Sequence, residues 1–197
     1  LAGLCDTLVH HAVDTAELTP ATARELMAHC LRDGKRLEFL RLVVVGPGAW
    51  TVDDDRQLRA LLGRRSRLIH VHGATEATID SAYFEGPADG LPPDRPVPIG
   101  GPFPGSRVFV LDRHGAPVPA GVPGELWLGG NGVAAGYLGD PDASAARFKI
   151  VELDERGLMR LYRTGELARW DARGTLHAVG TVPPDDGAAL PPPERKG

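Results

Sequence analysis

His70-Val71-His72-Gly73-Ala74-Thr75-Glu76-Ala77-Thr78-Ile79-Asp80 decides how this chain is read. The stretch leaves an apolar run at 68–72 and precedes a Pro/Gly-rich connection at 86–105. It places a hydroxyl and a carboxylate directly after a glycine. Exposed backbone N–H groups, a hydroxyl and a metal-capable carboxylate are what a nucleotide phosphate with Mg²⁺ requires. The same pattern also serves as a plain turn with a cap, so its meaning depends on the surrounding sequence.

Toward the amino terminus the pattern alternates between strand and helix. Residues 13–18 form a strand candidate. Thr19-Pro20 then opens a helix, with threonine as cap and proline at the first helical position. Leu26, Met27, Cys30 and Leu31 recur at helical spacing, and Asp33-Gly34 ends the run. Residues 40–45, with three consecutive valines, read as a strand buried on both faces and therefore parallel. Gly46-Pro47-Gly48 breaks it. Thr51 and Asp54 form a capping box, and Leu58, Leu61 and Leu62 give the next helix an inner face. Residues 1–80 thus read β-α-β-α-β, a parallel sheet. Ligands of such sheets bind beyond the carboxyl ends of the strands, where Glu17, residues 46–48 and residues 72–76 fall.

Toward the carboxyl terminus the period changes to alternation. Strands are expected at 107–112, 124–130, 158–162, 166–170 and 175–179, with a short helix at 142–148. The expected domains are 1–105, the second half of a flavodoxin-like α/β subdomain; 106–180, an antiparallel β subdomain; and 181–197, a Pro-rich linker or tail.

Composition bounds the partners. The chain has 197 residues, 42% hydrophobic, and a formal net charge of −4. That balance argues against a nucleic-acid or anionic-membrane surface. No apolar run reaches spanning length and no export leader is visible, so a cytoplasmic location is expected. Cys5 and Cys30, without a Cys-x-x-Cys pattern, read as two reduced thiols. Leu1 begins inside folded-looking sequence, which suggests a piece of a longer polypeptide.

Some readings stay ordinary. His70 and His72 share a strand face near Glu76 but read as ordinary polar residues rather than a metal site. His10-His11 read as surface residues. Residues 53–55, three aspartates, suit the first turn of a helix. Trp127 and Trp170 read as anchors of the β core.

Several motifs together resemble the adenylation domains of nonribosomal peptide synthetases, within the acyl-CoA synthetase and luciferase group of adenylate-forming enzymes. His72-Gly73-Ala74-Thr75-Glu76 resembles Tyr-Gly-Pro-Thr-Glu. Gly124-Glu125-Leu126-Trp127-Leu128-Gly129-Gly130-Asn131-Gly132-Val133-Ala134-Ala135-Gly136-Tyr137 is similar to Gly-Glu-Leu…Gly-Gly…Gly-Val-Ala-x-Gly-Tyr. Tyr162-Arg163-Thr164-Gly165-Glu166-Leu167 resembles Tyr-Arg-Thr-Gly-Asp-Leu, and residues 40–49 resemble Leu-Arg-Leu-Val-Val-Val-Gly-Gly-Glu-Ala. The resemblance implies a partial adenylate-forming core without the phosphate-binding loop and the C-terminal subdomain. It implies ATP or AMP and Mg²⁺ as cofactors, and neighbouring condensation and carrier-protein domains as partners. By position, His72, Gly73, Thr75, Glu76 and Glu166 would form a vestigial ATP site, with Glu76 on Mg²⁺ and Glu166 on the ribose. Glu17, Val44, Gly46, Val71, Ile79 and Asp80 would line the substrate pocket. The glycine motif at 129–136 looks structural.

The departures weigh on activity. Ala74 replaces the family's proline and is expected to loosen the turn. His72 replaces a stacking tyrosine, Gly48 a glutamate and Glu166 an aspartate. Thr181-Val182-Pro183 stands where the family has Arg-x-Asp. The expectation is a truncated or degenerate adenylation-like domain, non-catalytic alone, with a structural or docking role in a synthetase assembly line. The alternative is part of an active adenylation domain that uses ATP to activate an amino or other carboxylic acid for loading onto a carrier protein. A nucleotide-binding regulator is a third reading.

Overall fold

The structure, a computed structural model, describes residues 2–153 and 157–183. Most of the expected tail, residues 184–197, lies outside the described residues. The chain divides into two compact units, Leu1–His72 with Tyr83–Pro98, and Gly73–Ala82 with Ile99–Gly197. Residues 73–82 and 99–105 therefore belong with the β-rich second unit.

The first unit is built on a sheet ordered β1-β2-β3-β4: β1 (Thr15–Leu18), β2 (Leu42–Val45), β3 (Arg67–His72) and β4 (Ala82–Glu85). The β1–β2 and β2–β3 pairs are parallel, as the apolar runs require. Helix α2 (Pro20–Asp33) is capped by the Thr19 side chain, which accepts from the Thr22 amide, and ends on left-handed Gly34. Ala23, Leu26, Met27 and Cys30 form its buried stripe. Leu31, at the edge of that stripe, is exposed rather than on the inner face. Helix α3 (Val52–Leu61) carries the capping box: Thr51 Oγ1 accepts from the Asp54 amide, and Asp54 Oδ2 accepts from the Thr51 amide. These helices pack on the sheet through a core that includes Leu26, Leu40, Trp50, Val52 and Leu58.

Two elements of this unit were not anticipated. Helix α1 (Ala2–His10) buries Cys5 and Leu8 and packs half-buried Leu4 against the same core, a stripe of a single turn and too short for a clear period. It contains His10, whose ring meets His11 edge-on. Strand β4 is only four residues long. Cys5 and Cys30 are free and buried, and burial pushes the Cys30 thiol up to about 11.

The second unit contains the short β5 (Gly101–Pro102) and an antiparallel sheet ordered β10-β9-β7-β6. Its strands are β6 (Ser106–Leu111), β7 (Gly124–Gly130), β9 (Leu158–Trp170) and β10 (Leu176–Thr181), with β8 (Phe148–Glu152) paired to β9. The expected strands at 158–162 and 166–170 are one continuous strand that bulges between them. Glu125 pairs with Leu167 and Trp127 with Arg163, so three residues of β9 face one of β7. Helix α4 (Pro141–Arg147) is capped by Asp140, and β8 takes over at Phe148. Trp127 is buried and Trp170 packs against the core formed by Leu126, Leu128, Tyr162 and Leu176. Among the described residues no helix is long and apolar enough to cross a membrane.

Candidate nucleotide and acid site

In the first unit, the site residues gather at the carboxyl ends of adjacent strands. Glu17 on β1 pairs with Val44 on β2, and Val44 pairs with Ile69 on β3. Gly46 follows β2 at φ +141°, and a Cβ there would lie 2.5 Å from the Val71 carbonyl oxygen. Glycine is thus what lets the end of β2 close against β3. Val71 is buried, Val44 half-buried and Glu17 exposed. His72 ends β3. Beside it His70 is buried, its Nε2 3.5 Å from the Gly48 carbonyl oxygen. Burial drives its pKa down to about 4, so it is neutral at physiological pH.

In the second unit, residues 73–81 form a tightly closed turn. A Cβ on Gly73 would sit 1.9 Å from the Ile79 carbonyl oxygen. The Ala74 carbonyl accepts from the amides of Ala77 and Ile79, at 2.9 and 3.0 Å. These two bonds tie the turn through its backbone, and Ala74 sits at φ −141°, away from the angle a proline would impose. Thr75 opens the short 3₁₀ turn Thr75–Ala77 and is exposed. Thr78 and Ile79 follow at φ +59° and +64°, a region costly for β-branched residues. Ile79 is exposed and Asp80 half-buried. The Thr78 hydroxyl donates to the Gly132 carbonyl at 2.7 Å, and the Ala134 amide donates to the Glu76 carbonyl at 2.8 Å. The glycine-rich motif thus backs the turn.

Glu76 is the chemical centre of this unit. The Tyr137 hydroxyl donates to its Oε1 at 2.6 Å. Burial by itself would raise the carboxyl, but hydrogen bonds from Tyr137, its own backbone amide and Tyr162, with the charge of Arg147, hold it below the usual carboxylate value. Glu76 is therefore ionised. A carboxylate has about four acceptor positions, so two hydroxyl donors and one amide still leave room for a cation. Among the described residues no cluster of three His, Cys, Asp or Glu could cage a metal. Mg²⁺ held by one carboxylate together with substrate phosphates needs no such cage, so Glu76 fits that role.

Glu166 sits on the β9 bulge. Gly165 is left-handed at φ +79°, its amide donates to Glu125, and the Glu166 amide donates to Thr164 Oγ1 at 3.0 Å. Thr164 Oγ1 in turn donates to the Leu126 carbonyl at 2.7 Å. Glu125 also receives Arg163 Nε at 2.7 and 2.8 Å. Sequence reasoning named Glu166 but missed Glu125, Thr164 and Tyr137 as its supports and those of Glu76. All three lie inside the quoted motifs, and the motif glycines drew the attention instead. Past the bulge, Thr181 pairs with Glu166 and the Val182 amide donates to the Gly165 carbonyl at 2.8 Å. Where the family has Arg-x-Asp, this chain continues its β ladder.

Comparison with known proteins agrees with these motifs. A family model described as AMP-binding enzyme matches residues 2–138. Bacitracin synthase 2 of Bacillus licheniformis is 35% identical over 181 residues, 91% of this chain and 7% of that protein. The structure of PA1221, a nonribosomal peptide synthetase protein containing adenylation and peptidyl-carrier domains, is 32% identical, with a TM-score of 0.77 over 88% of this chain and 34% of that one. The N-terminal subdomain of Klebsiella oxytoca NpsA, solved with 3-hydroxybenzoyl-AMSN, superposes with a TM-score of 0.79 over 90% of this chain and 44% of that one. At 24% identity the NpsA likeness speaks for the fold alone. The chain spans less than half the length of each of these matched chains.

Proposed function

This chain belongs to the AMP-binding enzyme family, as part of an adenylation-domain core, and we propose that it supplies the Mg²⁺·ATP carboxylate and part of the acid-facing wall of an adenylate-forming synthetase. The carrying observation is the ionised Glu76 held by Tyr137 on a turn that only Gly73 can close. Thr75 would meet a phosphate, Glu76 the nucleotide's Mg²⁺, and Glu166 the ribose hydroxyls. Bound Mg²⁺ would neutralise phosphate charge; the acid's carboxylate would bond to the α-phosphorus as the α–β anhydride bond breaks and pyrophosphate leaves. Glu17, Val44, Gly46, Val71, Ile79 and Asp80 would contact the acid, as their positions in the family's motifs imply. Activation of an amino or other carboxylic acid for transfer to a carrier domain would then be the work of the whole synthetase. Alone, the chain would bind nucleotide without turning it over. Neighbouring condensation and carrier domains are its proposed partners, in the cytoplasm.

A structural or docking role is the second reading. It is favoured by Thr181 and Val182, which pair back to Glu166 and Gly165, and by Pro183 after them: none of the three supplies a guanidinium or carboxylate. Pyrophosphate exchange by the 197-residue chain and calorimetric titration with Mg²⁺·ATP separate the two. Saturable binding without exchange supports the first reading. Absence of binding supports the second, and exchange by this chain alone overturns both.

A further inference from the structure

The Glu76–Tyr137 bond joins residues 61 apart, and both of its ends are anchored. The Glu76 carbonyl accepts from the Ala134 amide at 2.8 Å. The Tyr137 amide donates to Ser144 Oγ at 2.8 Å, on α4. Gly136 makes that approach possible: at φ +147°, a Cβ on it would lie 2.8 Å from Ser144 Oγ. The Tyr137 ring stands edge-on to Phe148, with centroids 5.4 Å apart, and Phe148 packs on Tyr162 at 5.3 Å. Arg160 covers Phe148 at 5.0 Å and donates to the Ala134 carbonyl at 3.2 Å. The Tyr162 hydroxyl interacts with both the Tyr137 hydroxyl and the Glu76 carboxylate.

Packing alone does not require this chemistry. A phenylalanine would fill the same space beside Phe148, and the Tyr137 hydroxyl serves the carboxylate. A 2.6 Å O–H···O⁻ bond is short and charge-assisted, so it fixes direction as well as distance. Without it, a half-exposed glutamate would sample several rotamers, and a cation would have to select one of them.

We propose that Tyr137 is a positioning residue: its hydroxyl, backed by Tyr162, sets the direction in which Glu76 is offered to a nucleotide-bound divalent cation. The motif ending Gly-Tyr therefore has a function as well as a fold role. The inference rests on the reading of Glu76 given above, and its test separates the two.

The test compares the 197-residue wild type with Tyr137→Phe and Tyr162→Phe. Each is titrated with Mn²⁺·ATP and with ATP in EDTA. The ¹³C signal of the Glu76 carboxylate is recorded in the metal-free chain at fixed pH. The expected result for Tyr137→Phe is about tenfold weaker Mn²⁺·ATP binding with metal-free ATP affinity unchanged. The carboxylate signal moves, and the thermal midpoint changes by less than about 3 °C. Tyr162→Phe shows a smaller change in the same direction. Equal losses with and without metal, or an unmoved carboxylate signal, would overturn the inference. If the wild type binds no Mn²⁺·ATP, the nucleotide reading fails, and the carboxylate signal alone then decides whether Tyr137 directs Glu76.

Discussion

Arg163 Nε reaches both oxygens of the Glu125 carboxylate, at 2.7 and 2.8 Å, across β9 and β7. The same carboxylate receives the Gly165 amide at 3.2 Å, so one side chain holds the β9 bulge from which Glu166 projects. The pair is mostly buried, with side chains 20% and 11% exposed. Glu125→Ala would leave a guanidinium and an amide without their acceptor. The expected loss is about 3 kcal/mol in urea denaturation, with nucleotide affinity falling as Glu166 loses its support. A loss under about 1 kcal/mol would show that the bulge holds itself.

The turn at 73–81 makes two opposite demands. Gly73→Ala would drive a methyl into the Ile79 carbonyl, and at least about 2 kcal/mol of destabilisation is expected from chemical denaturation. Ile79→Gly should act the other way. Ile79 is 54% exposed and holds φ +64°, so glycine gives up little burial and relieves the backbone. A gain of roughly 0.5–1 kcal/mol is expected in the same assay.

Arg59 and Asp55 lie one turn apart on α3, and Asp55 is only 2% exposed. Burial pushes the Asp55 carboxyl up while Arg59 opposes it. Arg59 also donates to the Leu68 and Gly86 carbonyls. Arg59→Met should cost about 3 kcal/mol of stability, because it strands a buried carboxylate. The double variant Arg59→Met with Asp55→Leu should recover most of it.

His70 gives a pH signature. In the unfolded chain it takes a proton near pH 6.5, whereas burial delays that to about pH 4 in the fold. The unfolded chain therefore binds more protons between those values. Its contribution is fully present above about pH 6.5 and is lost as pH falls toward 4. A separation of this size is worth about 3 kcal/mol. His70→Gln should flatten the stability curve between pH 4 and 6.5, read as the difference between variant and wild-type urea midpoints. Parallel curves would refute a buried neutral His70.

The parallel strands, both helix caps and the family were legible because each is a local pattern: valine runs, Thr-Pro, Thr-x-x-Asp and motifs in order. Helix α1 was not, since its inner face, Leu4, Cys5 and Leu8, spans little more than one turn. Strand β8 was hidden because Phe148 reads equally well as the end of α4. The supports of the site were hidden for a different reason. Tyr137 meets Glu76, and Glu125 meets Gly165, only after 61 and 40 residues of intervening chain have folded. The bulge that aims Glu166 is a register event between β7 and β9, which no single-strand pattern announces.

If Glu76 is a cation ligand for a bound nucleotide, ATP affinity must depend on Mg²⁺ through this one carboxylate. Calorimetric titration of the 197-residue chain with ATP, with and without Mg²⁺, tests it most directly when repeated on Glu76→Gln. Mg²⁺ should tighten ATP binding to the wild type by about tenfold or more and leave the variant unaffected. An equal Mg²⁺ effect on both proteins, or none on either, would contradict it.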